Sequence, residues 1–168
     1  MLHLTNGDAT RIDETGLAGR LMPWRDVLHE GPVPDGLDLT ALTDMRARFI
    51  ASRGWSKLTE LRQSLAERDA CLRTSAAGDE DVRWVEHDLY DQLQLLQVLD
   101  WFADHPREPE TLLLFQTDDY IGRQEPEAIS EQAALARPVT DAQLDLAVRA
   151  WAAFRQPTPE AWAHLLKE

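Results

Sequence analysis

The sequence holds a single cysteine, Cys71. Neither a disulfide framework nor a multi-cysteine zinc site can therefore form within the chain. Long apolar runs are also missing, since no stretch approaches the roughly 18 residues that span a bilayer. The opening MLHLTNGDAT has neither the basic nor the apolar segment of a signal peptide, so the expected setting is the cytoplasm, with no membrane partner. Basic residues are scarce: 17 Lys and Arg stand against 30 Asp and Glu, a net charge of −13. An acidic surface repels phosphate backbones, which disfavours nucleic acid. It still admits a small anionic ligand, provided helix N-termini, a few arginines or a metal ion help locally. The phosphate-loop and dinucleotide glycine fingerprints are absent, so no nucleotide cofactor is indicated. GxSxG and HExxH are absent too.

What the chain does have is enough apolar content for a core. Hydrophobic residues make up 43% of its 168 residues, which excludes wholesale disorder. The length fits one domain of roughly 150 residues, burying about 70% of its unfolded surface. No repeat or low-complexity tract appears. Short strands are expected at 2–5, 20–24, 82–86 and 111–115, the last apolar enough for the middle of a parallel sheet. Helical patterns fall between and after them: 9–15; a pair bearing Leu39, Leu42, Met45, Phe49 and Ile50, then Leu58, Leu61, Leu65 and Leu72; 89–103; and 124–136. Cys71 sits inside this pattern and reads as core. Gly54 and Ser56 separate the pair, Gly78 lies in a loop, and His105-Pro106 stops the helix at 89–103. Thr140 and Gln143 form a capping box ahead of a helix ending at Phe154, and Thr158-Pro159-Glu160 opens the last helix.

Strands alternating with helices predict an α/β fold of three layers. Its sheet is mainly parallel and four-stranded, in the order 2-1-3-4, with helices on both faces. Residues 1–137 form the α/β domain. Residues 138–168 are a C-terminal helical extension packed on the same core through a stripe of Leu144, Ala147, Val148, Trp151 and Phe154.

Open parallel sheets bind ligands beyond the carboxyl ends of their strands, near the switch in strand order. Polar residues gather there. Asn6, Gly7 and Asp8 follow the first strand; Arg25, Asp26, His29 and Glu30 the second; Glu86, His87 and Asp88 the third; Gln116, Thr117, Asp118 and Asp119 the fourth. His87, flanked by two carboxylates, is the first candidate for proton transfer, with His29 the second, supported by Asp26 and Glu86. Asn6, Gly7, Asp8, Trp24, Arg25, Glu30, Asp88 and Gln92 are candidates for ligand binding, Arg25 through its planar fork. Asn6, Asp8, Arg25, Asp26, His29, Glu86 and His87 are expected to line one cleft. Each also has a structural reading. Asn6-Gly7-Asp8 is turn chemistry, Asp88 a helix cap, Asp118-Asp119 a solvated turn, and His29 a salt-bridged loop anchor. Trp24 and Trp84 are either an apolar wall for a ligand or core. The two histidines with Asp8, Asp26, Glu30, Glu86 and Asp88 have the residue types to hold a divalent metal, without any regular ligand spacing.

TNGD near the start, PWRDVLHEGPVP at 23–34, EHDLYDQLQLLQ at 86–97, and VTDAQL with AWAAF within 139–154 together resemble the bacterial family known as domain of unknown function 1835. The resemblance covers nearly the whole chain. It implies no assigned activity and no agreed catalytic residues. It does imply that Thr5, Asn6, Gly7, Asp8, Trp24, Arg25, Asp26, His29, Glu30, Gly31, Pro32, Glu86, His87, Asp88 and Gln92 are motif positions. Many members continue into a further C-terminal domain, so the chain is expected to be either a short member or a fragment.

Two functions stay open. One is a small-metabolite hydrolase or transferase using a histidine general acid/base. The other is a non-catalytic ligand-binding or protein-partner module. A DNA-binding role for the last two helices is disfavoured by their acidic balance.

Overall fold

The computed structural model describes residues 1–75, 81–105, 108 and 110–168; Gly78 and Pro106 lie outside them. The described residues form an α/β fold around a five-stranded sheet, with strands β1 (Leu2–Thr5), β2 (Arg20–Pro23), β3 (Asp81–Glu86), β4 (Leu112–Thr117) and β5 (Arg137–Pro138). The order is β2-β1-β3-β4-β5. The first four are mutually parallel and β5 is antiparallel to β4. The expected order 2-1-3-4 thus lies within a mixed sheet of five strands rather than four. A two-residue strand carries no readable alternation, so β5 left no periodic signal. β4 runs two residues beyond expectation because its ladder with β3 continues to Glu86 opposite Thr117.

Side chains alternate across the sheet as the pleat requires. Leu2, Leu4, Val85, Leu112 and Leu114 face one side, in a cluster with Leu72, Val98, Leu99 and Phe102. Val82, Trp84 and Phe115 face the other, with Ile12, Ile121 and Ile129. The first side is covered by α2 (Leu58–Ser75) and α3 (Leu89–Ala103), the second by α4 (Pro126–Ala133) and the 3-10 turns Ile12–Glu14 and Ile121–Arg123. Residues 9–15 thus hold one 3-10 turn in place of the expected helix, ended by Gly16 at φ +75. The step from β1 to β2 and the steps from β2 to β3 and β3 to β4 run in opposite directions over opposite faces, so one handedness serves all three. The order switches between β1 and β3.

α1 (Leu39–Ser52) is capped by Asp38, whose carboxylate accepts from Ala41 N at 2.8 Å, and Gly54 at φ +76 ends it. α1 and α2 meet partly through charged groups. Thr43 Oγ1 donates to Asp69 at 2.7 Å, and Arg68 donates to the Trp24 carbonyl at 3.3 Å. The Arg68 guanidinium also lies 4.1 Å from the Trp24 ring centroid. α5 (Asp141–Phe154) opens on the expected capping box and packs along α3. Ala147, Ala150 and Trp151 are buried there, while Val148 is 37% exposed, so the buried stripe is rotated away from Val148. α6 (Glu160–Leu165) has no buried residue. No described helix is long and apolar enough to cross a membrane.

Candidate functional site

The strand ends meet on the amino-terminal turn of α3. Asp88 caps that helix, its Oδ1 accepting from Asp91 N at 3.0 Å. One turn on, Gln92 donates to the Glu86 carbonyl at 2.8 Å, and Asp91 Oδ2 accepts from Glu86 N at 2.6 Å. Gln94 reaches furthest. Its amide nitrogen donates to the Asp26 carbonyl at 2.8 Å and the Asn6 carbonyl at 3.4 Å, and its oxygen accepts from Arg83 Nη2 at 3.3 Å. The Asn6 side chain lies beside the Asp91 carboxylate. The segments after β1, β2 and β3 are thus joined through side chains of one helix.

Around this junction the candidates fall into three settings. Asp8 and Arg25 face each other at the exposed rim. Arg25 Nε donates to Asp8 Oδ2 at 2.8 Å, and the Arg25 backbone has φ +55. This pairing holds the Asp8 carboxyl below its usual range and occupies one fork of the guanidinium. Asp26 is fully buried against Arg46, with Oδ1 accepting from Nε at 2.9 Å. Arg46 also donates to the carbonyls of Val27, Glu30 and Pro32, at 2.9, 2.7 and 3.2 Å, which fixes the loop carrying His29. Gly31 in that loop, at φ +78, lies so close to Phe49 that an added Cβ would come within 2.5 Å of the ring. His29 is exposed and packs edge-on against Tyr90, with centroids 5.8 Å apart.

The third setting is an open cleft of about 400 Å³ at the ends of β3 and β4, lined by Glu86, His87, Gln92, Gln116, Thr117 and Asp118. His87 is exposed and stacks obliquely on Tyr120, centroids 5.2 Å apart. Glu86 Oε1 accepts from Ile121 N at 2.8 Å. Burial raises the Glu86 carboxyl above the ordinary range, the Ile121 amide opposes that, and the carboxylates of Asp91 and Asp88 reinforce it. Gly122 follows in the same turn, and an added Cβ there would sit 2.6 Å from the Ala9 carbonyl oxygen. A side chain at 122 would therefore push this turn off the loop after β1.

Trp24 and Trp84 are core. Trp24 is fully buried with Nε1 donating to Gln97 at 2.8 Å, and Trp84 donates to His3 Nδ1 at 3.1 Å. Among the described residues no three His, Cys, Asp or Glu side chains converge in an arrangement that would hold a metal ion. Sequence reasoning missed Arg83, Tyr90, Asp91 and Gln94. The available signals were an arginine set between the apolar Val82 and Trp84 of a strand and polar residues on buried turns of an apolar helix.

Fold and site together define an α/β protein whose ionisable residues cluster at the carboxyl edge of its sheet. Comparison with protein-family models, curated proteins and solved structures gives no match.

Proposed function

We propose that the cleft at the ends of β3 and β4 binds a small polar metabolite, and that the protein is a hydrolase or transferase in which His87 serves as general acid/base. The observation that carries this reading is the pairing of His87 with Glu86 along one open cleft of about 400 Å³, with burial raising the Glu86 carboxyl. A carboxyl that keeps its proton closer to neutrality suits proton transfer. Among the described residues no lysine or arginine lines the cleft, which favours an uncharged or cationic polar ligand over an anion. His29 lies against Tyr90 at the neighbouring junction and is the second proton-transfer candidate.

The alternative is a ligand-binding module without turnover. It is favoured by the number of candidate residues already engaged within the chain: Asp26 with Arg46, Asp8 with Arg25, and Glu86 with Ile121 N. Membership of the bacterial family that the motifs resemble is likewise a proposal. It is supported by Gln94 of the third motif bonding Asn6 of the first and Asp26 of the second.

The test is a thermal-shift screen of polar metabolites with and without divalent metals, followed by product analysis, on the wild type, His87→Ala and Glu86→Gln. A ligand that stabilises the wild type, loses its effect in His87→Ala and is turned over supports the enzyme. Binding without turnover supports the module. If no metabolite binds and both substitutions strongly destabilise the fold, these residues are structural.

A further inference from the structure

β2 is an outer strand of the sheet, and a groove of about 180 Å³ runs between it and α2. Three arginines line this groove, Arg20, Arg25 and Arg68, against one acid, Glu67. In a protein of net charge −13 that balance is the reverse of the general surface. Glu67 is engaged along its own helix, where the Gln63 amide donates to it at 3.0 Å. A cleft lined by one sign of charge concentrates ligands of the other.

The three arginines differ in how far they are committed. Arg68 is 2% exposed, with Nε donating to Asp69 at 2.9 Å and Nη1 to the Trp24 carbonyl at 3.3 Å; it is a fixed part of the wall. Arg25 is half committed. Asp8 takes Nε and Nη2, while Nη1 reaches Ser64 Oγ only at 3.4 Å, a long and weak bond. The backbone of Arg25, at φ +55, is rare for a residue with a side chain, and from it the guanidinium spans from the end of β2 to Ser64 on α2. Arg20 is exposed, and its guanidinium has no ion-pair or hydrogen-bond partner among the described residues. Two neutral donors join them. Ser64 Oγ accepts from Arg25 and keeps its own proton to give. Arg20 N and Trp24 N donate to β1, so alternation turns the Leu21 amide toward the open edge that the groove follows.

We propose that the groove between β2 and α2 is a second ligand site, separate from the β3–β4 cleft, and that it binds a phosphate group, free or on a small monoester. Guanidinium forks match the oxygens of phosphate, and backbone amides at a sheet edge form concavities suited to anions. Arg20, Arg25 Nη1, the Ser64 hydroxyl and the Leu21 amide would donate to the phosphate oxygens. The volume is below the roughly 300–1,000 Å³ of clefts that enclose a drug-sized molecule, which sets a single phosphate group ahead of a whole nucleotide. Asp8 is the internal competitor, an anion of the chain itself that holds the fork a phosphate would otherwise take.

The experiment titrates the full chain with inorganic phosphate and with methyl phosphate, against sodium chloride at equal ionic strength. Phosphate is expected to bind saturably and to shift the backbone amide resonances of Leu21 and Ser64, while chloride does neither. Arg20→Gln and Arg25→Gln should each weaken binding about tenfold, as the loss of one charged hydrogen bond requires. Asp8→Ala should tighten it several-fold, by about the worth of an exposed ion pair. His87→Ala, which alters only the other cleft, should leave it unchanged. Equal binding of methyl phosphate assigns the site to monoesters, and much weaker binding assigns it to free phosphate; both support the proposal. The three substituted side chains are exposed, so the fold should survive; should a variant not fold, the Leu21 and Ser64 resonances of the wild type decide. The proposal is overturned if chloride matches phosphate or if those resonances do not move. It is equally overturned if both arginine variants bind as tightly as the wild type, or if Asp8→Ala binds no more tightly.

Discussion

Arg46 on α1 and Asp26 after β2 lie 2.9 Å apart, with side-chain exposures of 0% and 1%. The pair is the anchor of the 26–32 loop, since the same guanidinium gathers three of that loop's carbonyls. Removing one member of a buried pair leaves the other charge without compensation, a loss of about 3–5 kcal/mol. Arg46→Met is expected to fall in that range by chemical denaturation. In a double-mutant cycle, adding Asp26→Leu should recover part of the loss, because the stranded carboxylate is then gone. Strictly additive losses would mean that the two residues act independently.

The Asp8–Arg25 pair has the same chemistry in the opposite setting. Its side chains are 65% and 48% exposed, where water and salt screen the attraction. Asp8→Ala should cost less than about 1 kcal/mol, and the cost should shrink further in 1 M salt. A salt-independent loss of several kcal/mol in denaturation curves would contradict a rim position for this pair.

Asp100 on α3 gives a pH-dependent signature. Burial raises its carboxyl to about 6 from 3.8, the charge of Arg155 opposes the rise, and Asp104 and Asp35 add to it. The folded state holds this proton more tightly than the unfolded state. Its contribution is therefore favourable below pH 3.8 and is lost as pH climbs to about 6. Asp100→Asn should stabilise the protein at pH 7 by on the order of 1 kcal/mol, less than the roughly 3 kcal/mol of an unscreened shift. The advantage should disappear near pH 3.5. Melting curves at the two pH values test the sign directly.

Trp151 is 2% exposed and joins Leu28, Leu42 and Leu93 in one cluster. It thereby links α5 to α1, α3 and the loop after β2. Trp151→Ala should cost about 3–5 kcal/mol, and a chain ending near Pro138 should lose solubility as the α3 face is uncovered. Unchanged melting of either variant would show that α5 does not share this core.

Much of this arrangement was legible because it rests on local rules. The parallel strands, the cap at Asp88, the box at Thr140 and the stop at Gly54 each have a short-range chemical signature. The gathering of Asn6, Asp26 and Glu86 near one switch in strand order followed from topology alone. What escaped was long-range. Nothing near Asp26 announces that its partner is Arg46, twenty residues away, so a catalytic and a structural carboxylate read alike. Tyr90 looked like an ordinary helix residue until the loop bearing His29 was folded over it. The pairing of Arg25 with Asp8 likewise depends on a left-handed backbone at Arg25, which no local preference of arginine foretells.

Both outer strands carry a proline. Pro23 ends β2, and Pro138 ends β5. Trp24 N donates to β1 and Val139 N to β4, so by alternation the proline positions turn outward, where they offer no amide. A sheet edge recruits another chain through just such outward amides. Each open rim of the five described strands therefore lacks an outward amide at its proline, which weakens the addition of a further strand at that position.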